Sequence, residues 1–223
     1  MAGASVNQPT DADYQPRRRW HEDQRPIIYV VLEVKTDGGD VRRNAVRSIA
    51  AVAVSESGTP ISSYVINLSA PEGSSADQRT LSRYRDHPDS WQTITANAQR
   101  PSAAIPDFIK WVQGLPGQPV AVGSPLIQIS IWLETYLRRH SKHVFFRGPF
   151  EGDLLFAGGG IDLPTFVMGT TGMAYRQCVE HMLPAEWRDN RVETHKARED
   201  AEMHAALLIT MLRLRAQRGA AGQ

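Results

Sequence analysis

Hydrophobic residues run almost without interruption from Ile27 to Val34, and this run is the first strong signal of ordered structure. Its side chains are mostly β-branched or aromatic, which is typical of a central strand buried on both faces. Turn-forming residues at positions 37–40 end it. Two more strand-like runs follow at residues 46–54 and 61–68, with a turn containing Gly and Pro between them. Three strands joined by short turns predict an antiparallel meander.

The rest of the chain predicts helices that alternate with short strands. Apolar residues recur at i, i+3, i+4 and i+7 over residues 103–115, which is the spacing of one buried helix face. Residues 119–122 predict a fourth strand, and Pro125 predicts the start of a helix that ends near residue 137. Residues 144–146 are a candidate fifth strand. Residues 162–183 predict a helix in two pieces, and residues 195–215 predict a long last helix. This order predicts an α/β fold, with helices flanking a mixed five-stranded sheet.

Length and composition predict one globular domain. The chain has 223 residues, of which 41% are hydrophobic and 22% charged, and such a chain can bury a substantial core. Basic and acidic residues nearly balance, at 25 and 24, so any nucleic-acid contact has to come from a local patch. The one cysteine, Cys178, excludes an intrachain disulfide and a cysteine zinc site. Since the sequence shows neither a membrane-spanning run nor a signal peptide, we expect a cytoplasmic protein without membrane contact.

Composition also predicts the domain boundaries. Residues 1–25 lack apolar periodicity and are rich in small and polar residues, which predicts a flexible N-terminal arm. The arm carries three arginines at positions 17–19, for which phosphate contact and a solvated tail are both open interpretations. Residues 26–217 are predicted to form the folded domain, and residues 218–223 a C-terminal tail.

The last predicted helix begins with the pattern His-x-Ala-x-x-Asp-Ala, from His195 to Ala201. This pattern resembles the third exonuclease motif of the DnaQ-like DEDDh 3′→5′ exonucleases, which have a ribonuclease-H-like fold. The resemblance implies that His195 is a general base and Asp200 a metal ligand. A His at a helix entrance and an Asp about one turn later can point at the same water and the same ion.

The resemblance extends over residues 27–212. Residues 161–163 and 184–187 look like the connecting segment of a bacterial exoribonuclease subgroup in this superfamily. The resemblance implies a ribonuclease-H-like domain and, for an active member, a 3′→5′ exonuclease that uses Mg²⁺ or Mn²⁺. Members of this group are often dimers, so a homodimer is one expectation for the chain.

Two of the four carboxylates that the resemblance requires are missing. The first motif of the family is Asp-x-Glu, and here Glu33 and Lys35 occupy its two acidic positions. The second motif has an Asp early in the helix after the fourth strand, where this chain has Gln128. Of the expected set, Asp200 is intact and Glu33 is a longer substitute. Glu33 and Asp200 are therefore the only metal ligands that the motifs leave.

These substitutions predict the loss of two-metal catalysis. Hydrolysis of this kind needs several carboxylates that hold two Mg²⁺ ions about 4 Å apart. Lys35 changes the local charge by two units and brings an ammonium group to the place of an ion, whereas Gln128 offers only a neutral oxygen. We therefore expect no metal cofactor, and Mg²⁺ or Mn²⁺ only if the protein is active.

Two interpretations of Lys35 are open at this point. It could lie at a frayed strand end and point into solvent, with Glu33, Asp37 or Asp40 serving the site in a shifted register. Strand alternation argues against this, because it places Glu33 and Lys35 on the same face. Alternatively, Lys35 pairs with Asp200 and replaces the metal.

A cluster of basic and aromatic residues follows the second predicted helix. Phosphate contacts and base stacking would suit single-stranded RNA or DNA there, and a solvated helix end is the other interpretation, since cations are favoured at helix C-termini. The candidate nucleic-acid-binding residues are Arg138, Arg139, Lys142, Phe145 and Arg147.

The sequence favours a catalytically impaired exonuclease-like protein that binds nucleic acid or a protein partner. One alternative is an active metal-dependent exoribonuclease or exonuclease that uses Glu33, His195 and Asp200. The other is a structural docking or assembly module without nucleic-acid binding.

Overall fold

A five-stranded mixed sheet forms the centre of the chain, in a computed structural model that describes residues 20–146 and 153–221. Its strands are β1 (Ile27–Thr36), β2 (Val46–Ser55), β3 (Pro60–Asn67), β4 (Gln118–Gly123) and β7 (Ile161–Asp162). The strand order is β3-β2-β1-β4-β7, in which β2 is antiparallel to both of its neighbours, β1 and β3, whereas β1, β4 and β7 run parallel to one another. The predicted meander and the predicted mixed five-stranded sheet are confirmed.

The fifth strand of this sheet differs from the prediction. Residues 143–144 (β5, His143–Val144) pair instead with β6 (Asp153–Leu154) in a separate two-stranded sheet. Glu134 holds the predicted segment away from the main sheet, because its Oε2 accepts hydrogen bonds from the backbone N–H groups of Phe145 (2.5 Å) and Phe146 (3.1 Å).

Helices cover both faces of the sheet. They are α1 (Gln78–Arg85), α2 (Pro88–Thr95), α3 (Pro101–Gln113), α4 (Leu126–His140), α5 (Leu163–Thr171) and α6 (Ala197–Ala221). Short 3₁₀ turns at residues 175–177, 180–182 and 185–188 fill the connection between α5 and α6. None of the helices that the structure describes is long and apolar enough to cross a bilayer.

Strand β1 separates two hydrophobic cores. Val30 and Leu32 belong to the core that contains α3 and α4, whereas Tyr29 and Val31 belong to the core that contains α5 and α6. Because successive side chains of a strand alternate between its faces, the odd-numbered positions that follow also point toward α6. This alternation places two polar residues at the end of β1 next to the N-terminal part of α6.

Regular secondary structure adjoins both ends of residues 26–217, the predicted folded domain. A 3₁₀ turn at residues 20–22 lies inside the predicted arm, and the Trp20 carbonyl accepts a hydrogen bond from the Gln118 side chain at 2.5 Å. Helix α6 continues to Ala221, so the predicted tail begins within a helix. The arginines at positions 17–19 lie outside the described residues.

Candidate active site

A cleft of about 380 Å³ opens beside the end of β1. Its wall includes all five residues that the sequence motifs single out, namely Glu33, Lys35, Gln128, His195 and Asp200. Asp37 and Asp40 are not part of this wall. Asp37 is buried and accepts a hydrogen bond from the Ala45 N–H at 2.6 Å, and Asp40 pairs with Arg42 at 2.9 Å. The shifted-register interpretation is therefore wrong.

The Lys35 ammonium group lies between two carboxylates. Its Nζ is 3.0 Å from Oε1 of Glu33 and 2.7 Å from Oδ2 of Asp200. The Lys35 side chain is only 11% exposed, so it does not point into solvent. Burial would lower its pKa, but the charges of Glu33 and Asp200 outweigh burial and raise the pKa above its ordinary value. Lys35 is thus a permanent cation at the centre of the cleft, and the predicted ion pair with Asp200 is present.

Asp200 uses its other oxygen to fix the loop before α6. Oδ1 accepts hydrogen bonds from the Thr194 backbone N–H at 2.7 Å and from the Thr194 hydroxyl at 3.1 Å. With Lys35 at Oδ2, both carboxylate oxygens of this buried residue are engaged. A divalent cation at Asp200 would have to displace the lysine.

The ion pairs continue behind Glu33, through residues that the sequence motifs did not indicate. His204 lies one turn after Asp200 on α6, with Nδ1 3.3 Å from Oε2 of Glu33 and Nε2 3.3 Å from Oε2 of Glu180. Glu180 in turn is 3.4 Å from Nη1 of Arg188. The resulting ionic ladder alternates in charge along its length: Asp200, Lys35, Glu33, His204, Glu180 and Arg188.

The ladder shifts the pKa values of Glu33 and His204. Burial raises the pKa of Glu33, but Lys35 and His204 more than offset this, and the net pKa is lowered. Burial lowers the pKa of His204, but the hydrogen bond with Glu180 and the nearby negative charge of Glu33 outweigh burial and raise the pKa to about 9. His204 is therefore an imidazolium at neutral pH, and the ladder as a whole carries no net charge.

The stability of the protein should depend on pH through His204. A folded-state pKa of about 9, above the ordinary 6.5, means that the stabilisation is complete below pH 6.5 and disappears as pH rises through 9. We expect the wild-type protein to lose on the order of 3 kcal/mol over this interval, whereas a His204→Gln variant should show a much flatter profile. Urea denaturation of both proteins across the interval measures the difference, and parallel profiles would contradict the assignment.

His195 stands at the rim of the cleft, just before α6 begins. Its backbone has a positive φ of 61°, an uncommon conformation for a residue other than glycine. Its Nδ1 is 3.0 Å from Oε1 of Glu193, and its ring lies 4.5 Å from that of His87. Donor atoms of Glu193, His195 and Asp200 lie within 4.8 Å of one another, the one grouping in the described part of the chain that could hold a metal ion.

The remaining motif residue, Gln128, is exposed in the first turn of α4. The carboxylate of Asp162 caps this helix by accepting a hydrogen bond from the Leu126 N–H at 3.1 Å. Gln128 thus presents a neutral carboxamide to the cleft, on the side opposite α6. The residues present do not fit a two-metal centre, because the Lys35 ammonium group lies between the two remaining carboxylates and Gln128 offers only a neutral amide where a further carboxylate is needed.

Only some residues of the predicted nucleic-acid-binding patch are exposed and able to contact a ligand. Phe145 is 2% exposed and packs in the core between Phe146 and Phe156, so its proposed role in base stacking is wrong. Arg138 pairs with Glu134, one turn earlier in α4, and Lys142 pairs with Asp153 at 3.1 Å. Arg139 is exposed. Arg147 lies outside the described residues.

Comparison with solved structures identifies the fold as that of the DEDDh 3′→5′ exonucleases. The nuclease domain of 3′hExo, a DEDDh family member bound to rAMP, matches with a TM-score of 0.59 and 12% identity over 84% of this chain and 91% of that one. A full-length 3′-exonuclease gives a TM-score of 0.57 and 10% identity over 84% of this chain and 81% of that one. The predicted ribonuclease-H-like fold is confirmed.

Exonuclease I of E. coli shares this fold within a longer protein. Its zinc-bound complex with single-stranded DNA has a TM-score of 0.60 and 13% identity, and the match covers 86% of this chain but 41% of that one. No protein-family model and no curated protein sequence matches this chain.

Proposed function

We propose that this chain is a catalytically impaired exonuclease-like protein that works as a binding module rather than as a nuclease. The supporting observation is the Lys35 ammonium group, which lies 3.0 Å from Glu33 and 2.7 Å from Asp200. A two-metal nuclease needs its acidic side chains for divalent cations. A fixed cation between them repels divalent cations at short range and offsets part of the negative charge that would attract them.

The charge of the cleft favours a protein partner over nucleic acid. Four carboxylates line it against three cations: Glu33, Glu180, Glu193 and Asp200 against Lys35, Arg83 and His204. Without a divalent ion to add positive charge, phosphate groups meet a surface of slightly negative charge. One of the matched exonuclease I structures is a complex with SSB-Ct, and the match covers 42% of that protein. Single-stranded RNA or DNA is the alternative ligand.

The wild-type protein is expected to leave 5′-labelled single-stranded RNA and DNA intact in the presence of Mg²⁺ or Mn²⁺. Its product pattern should match that of a His195→Ala variant, which keeps the Lys35 ion pairs. Gel electrophoresis at single-nucleotide resolution measures this, with exonuclease I as the positive control. If the wild-type protein shortens the substrate stepwise from the 3′ end and His195→Ala abolishes this activity, the proposal is wrong. A gel shift of intact substrate would indicate nucleic acid as the ligand.

A metal-dependent exonuclease is the second candidate, and one observation favours it. Glu193, His195 and Asp200 bring three potential ligand atoms within 4.8 Å. This set mixes an imidazole with carboxylates, which suits a transition metal better than Mg²⁺. Asp200 already contacts Lys35 and Thr194, so the ion would compete with both. Activity in Mn²⁺ that a Glu193→Gln variant loses would support this candidate over the first.

A further inference from the structure

Helix α1 covers part of the cleft but contributes no buried side chain to the core. Each of the other five helices that the structure describes has buried side chains, whereas α1 has none. Thr80, Arg83 and Tyr84 line the cleft, and their i, i+3, i+4 spacing places them on one face of the helix. An element with few buried apolar contacts opens at a low cost in free energy. Among the described helices, α1 is therefore the one that burial holds least firmly.

The chain anchors α1 at both of its ends. Before the helix, the Asp77 backbone N–H donates to the Asp37 carbonyl at 2.7 Å, and the Asp77 carboxylate caps the first turn by accepting from the Thr80 N–H at 3.1 Å. After the helix, the backbone leaves the helical conformation at His87, as expected for a residue that precedes Pro88. Both ends can therefore stay in place while the helix between them moves.

Helix α2, which follows α1, is fixed to the loop before α6. The buried Ser90 donates its hydroxyl hydrogen bond to the Thr194 carbonyl at 2.6 Å, and Ile94 of the same helix is buried in the protein. The rings of Tyr84 and Trp91 lie 5.0 Å apart and bring α1 into contact with α2. Helix α2 thus gives α1 a fixed neighbour beside the cleft.

An ion pair joins α1 to the loop before α6 at the rim of the cleft. Nη2 of Arg83 lies 3.9 Å from Oε2 of Glu193, and Oε1 of the same glutamate is 3.0 Å from Nδ1 of His195. The side chains of Arg83 and Glu193 are 65% and 44% exposed. Ion pairs with this much exposure contribute little to stability. The pair therefore closes the rim beside His195 and breaks at a low cost in free energy.

We infer that α1 is a lid over the cleft, which opens between its anchors at Asp77 and Pro88 and which the Arg83–Glu193 ion pair holds closed. Opening removes Arg83 and Tyr84 from the cleft wall, whereas the ionic ladder stays intact because none of its members belongs to α1. The inference rests on the proposed function for what enters the open cleft, namely a protein partner. The motion itself is measurable without a ligand, so a rigid α1 would leave the proposed absence of catalysis untouched.

Amide hydrogen exchange of the full chain, followed by mass spectrometry, tests the opening of the lid. We expect the amides of residues 81–85 to exchange at least about 100-fold faster than those in the middle of α3 and α4, which pack into the core. Both sets of amides are in helices, so the difference reports how readily each helix opens. Exchange in α1 that is as slow as exchange in α3 and α4 would overturn the inference.

Substitutions at the ion pair test what holds the lid closed. Arg83→Ala should speed exchange in α1 by roughly two- to fivefold, and Glu193→Ala should do so by the same factor. The double variant should exchange no faster than either single variant, because both remove the same interaction. Arg85→Ala is the matched control, since Arg85 is exposed in the same turn but does not line the cleft, and its exchange should match the wild type. Equal acceleration by Arg83→Ala and Arg85→Ala, or additive effects in the double variant, would contradict the role of the ion pair.

Discussion

A Lys35→Met variant is expected to be less stable than the wild-type protein by roughly 3–5 kcal/mol. Methionine keeps most of the volume of the lysine side chain but removes the ammonium group, which leaves Glu33 and Asp200 buried without their shared partner. Uncompensated charges at such depth are costly, because the interior screens them poorly. Equilibrium denaturation in urea, at a pH between 6 and 8 where the carboxylates are ionised, measures the loss.

The matched control is Lys196→Met. Lys196 also pairs with a carboxylate, Glu199 at 3.4 Å, but both side chains are partly exposed at the start of α6. Its loss should cost no more than about 1 kcal/mol. Equal destabilisation by the two substitutions would show that Lys35 contributes no more than a surface lysine, and would remove the basis of the proposed function.

A Lys35→Glu variant is expected to acquire metal-dependent stability. The substitution replaces the cation by a third carboxylate beside Glu33 and Asp200, so the metal-free protein should be destabilised and Mg²⁺ or Mn²⁺ should restore it. At a metal concentration about 100 times Kd, binding adds about 2.7 kcal/mol. In a domain of this size that corresponds to a rise in Tm of roughly 5–10 °C.

Thermal unfolding with and without the metal measures this rise, and calorimetry checks binding directly. Lys35→Gln is the control, because it removes the ammonium group without adding a ligand charge. The wild-type protein and Lys35→Gln should show no comparable metal effect. An unchanged Tm in Lys35→Glu would mean that the geometry of the cleft, rather than the lysine charge, prevents metal binding.

Much of the centre of the site could be predicted from local sequence. Alternation along β1 places Glu33 and Lys35 on one face, and the motif in α6 places Asp200 near them; the structure brings the three together. His204 was within reach of the same reasoning, since it lies four residues after Asp200 and shares its helix face. The positions of Glu180 and Arg188 could not be predicted from spacing, because both residues lie in short 3₁₀ turns that have no hydrophobic periodicity.

The errors in the fold have similar physical causes. Helix α1 consists mostly of polar residues and has no fully buried side chain, so the stretch around it was not predicted as helix. Strand β7 has only two residues, fewer than a pattern of alternation needs. Phe145 follows several basic residues, which made it resemble a stacking platform, but its ring fills the core and Glu134 fixes its backbone. For Phe145, contacts with residues elsewhere in the chain decided the outcome.

The ionic ladder gives the protein a counter-ion that is part of its own chain. Enzymes that hold divalent cations at this place exchange them with the surroundings, so their folding and binding follow the metal supply and respond to chelators. The Lys35 ammonium group is covalently part of the chain, so it cannot dissociate and does not depend on the supply of an ion from the surroundings. The protein should therefore keep its fold and the shape of its cleft when divalent metal is scarce, a condition that would stop catalysis by a metal-dependent nuclease of the same fold.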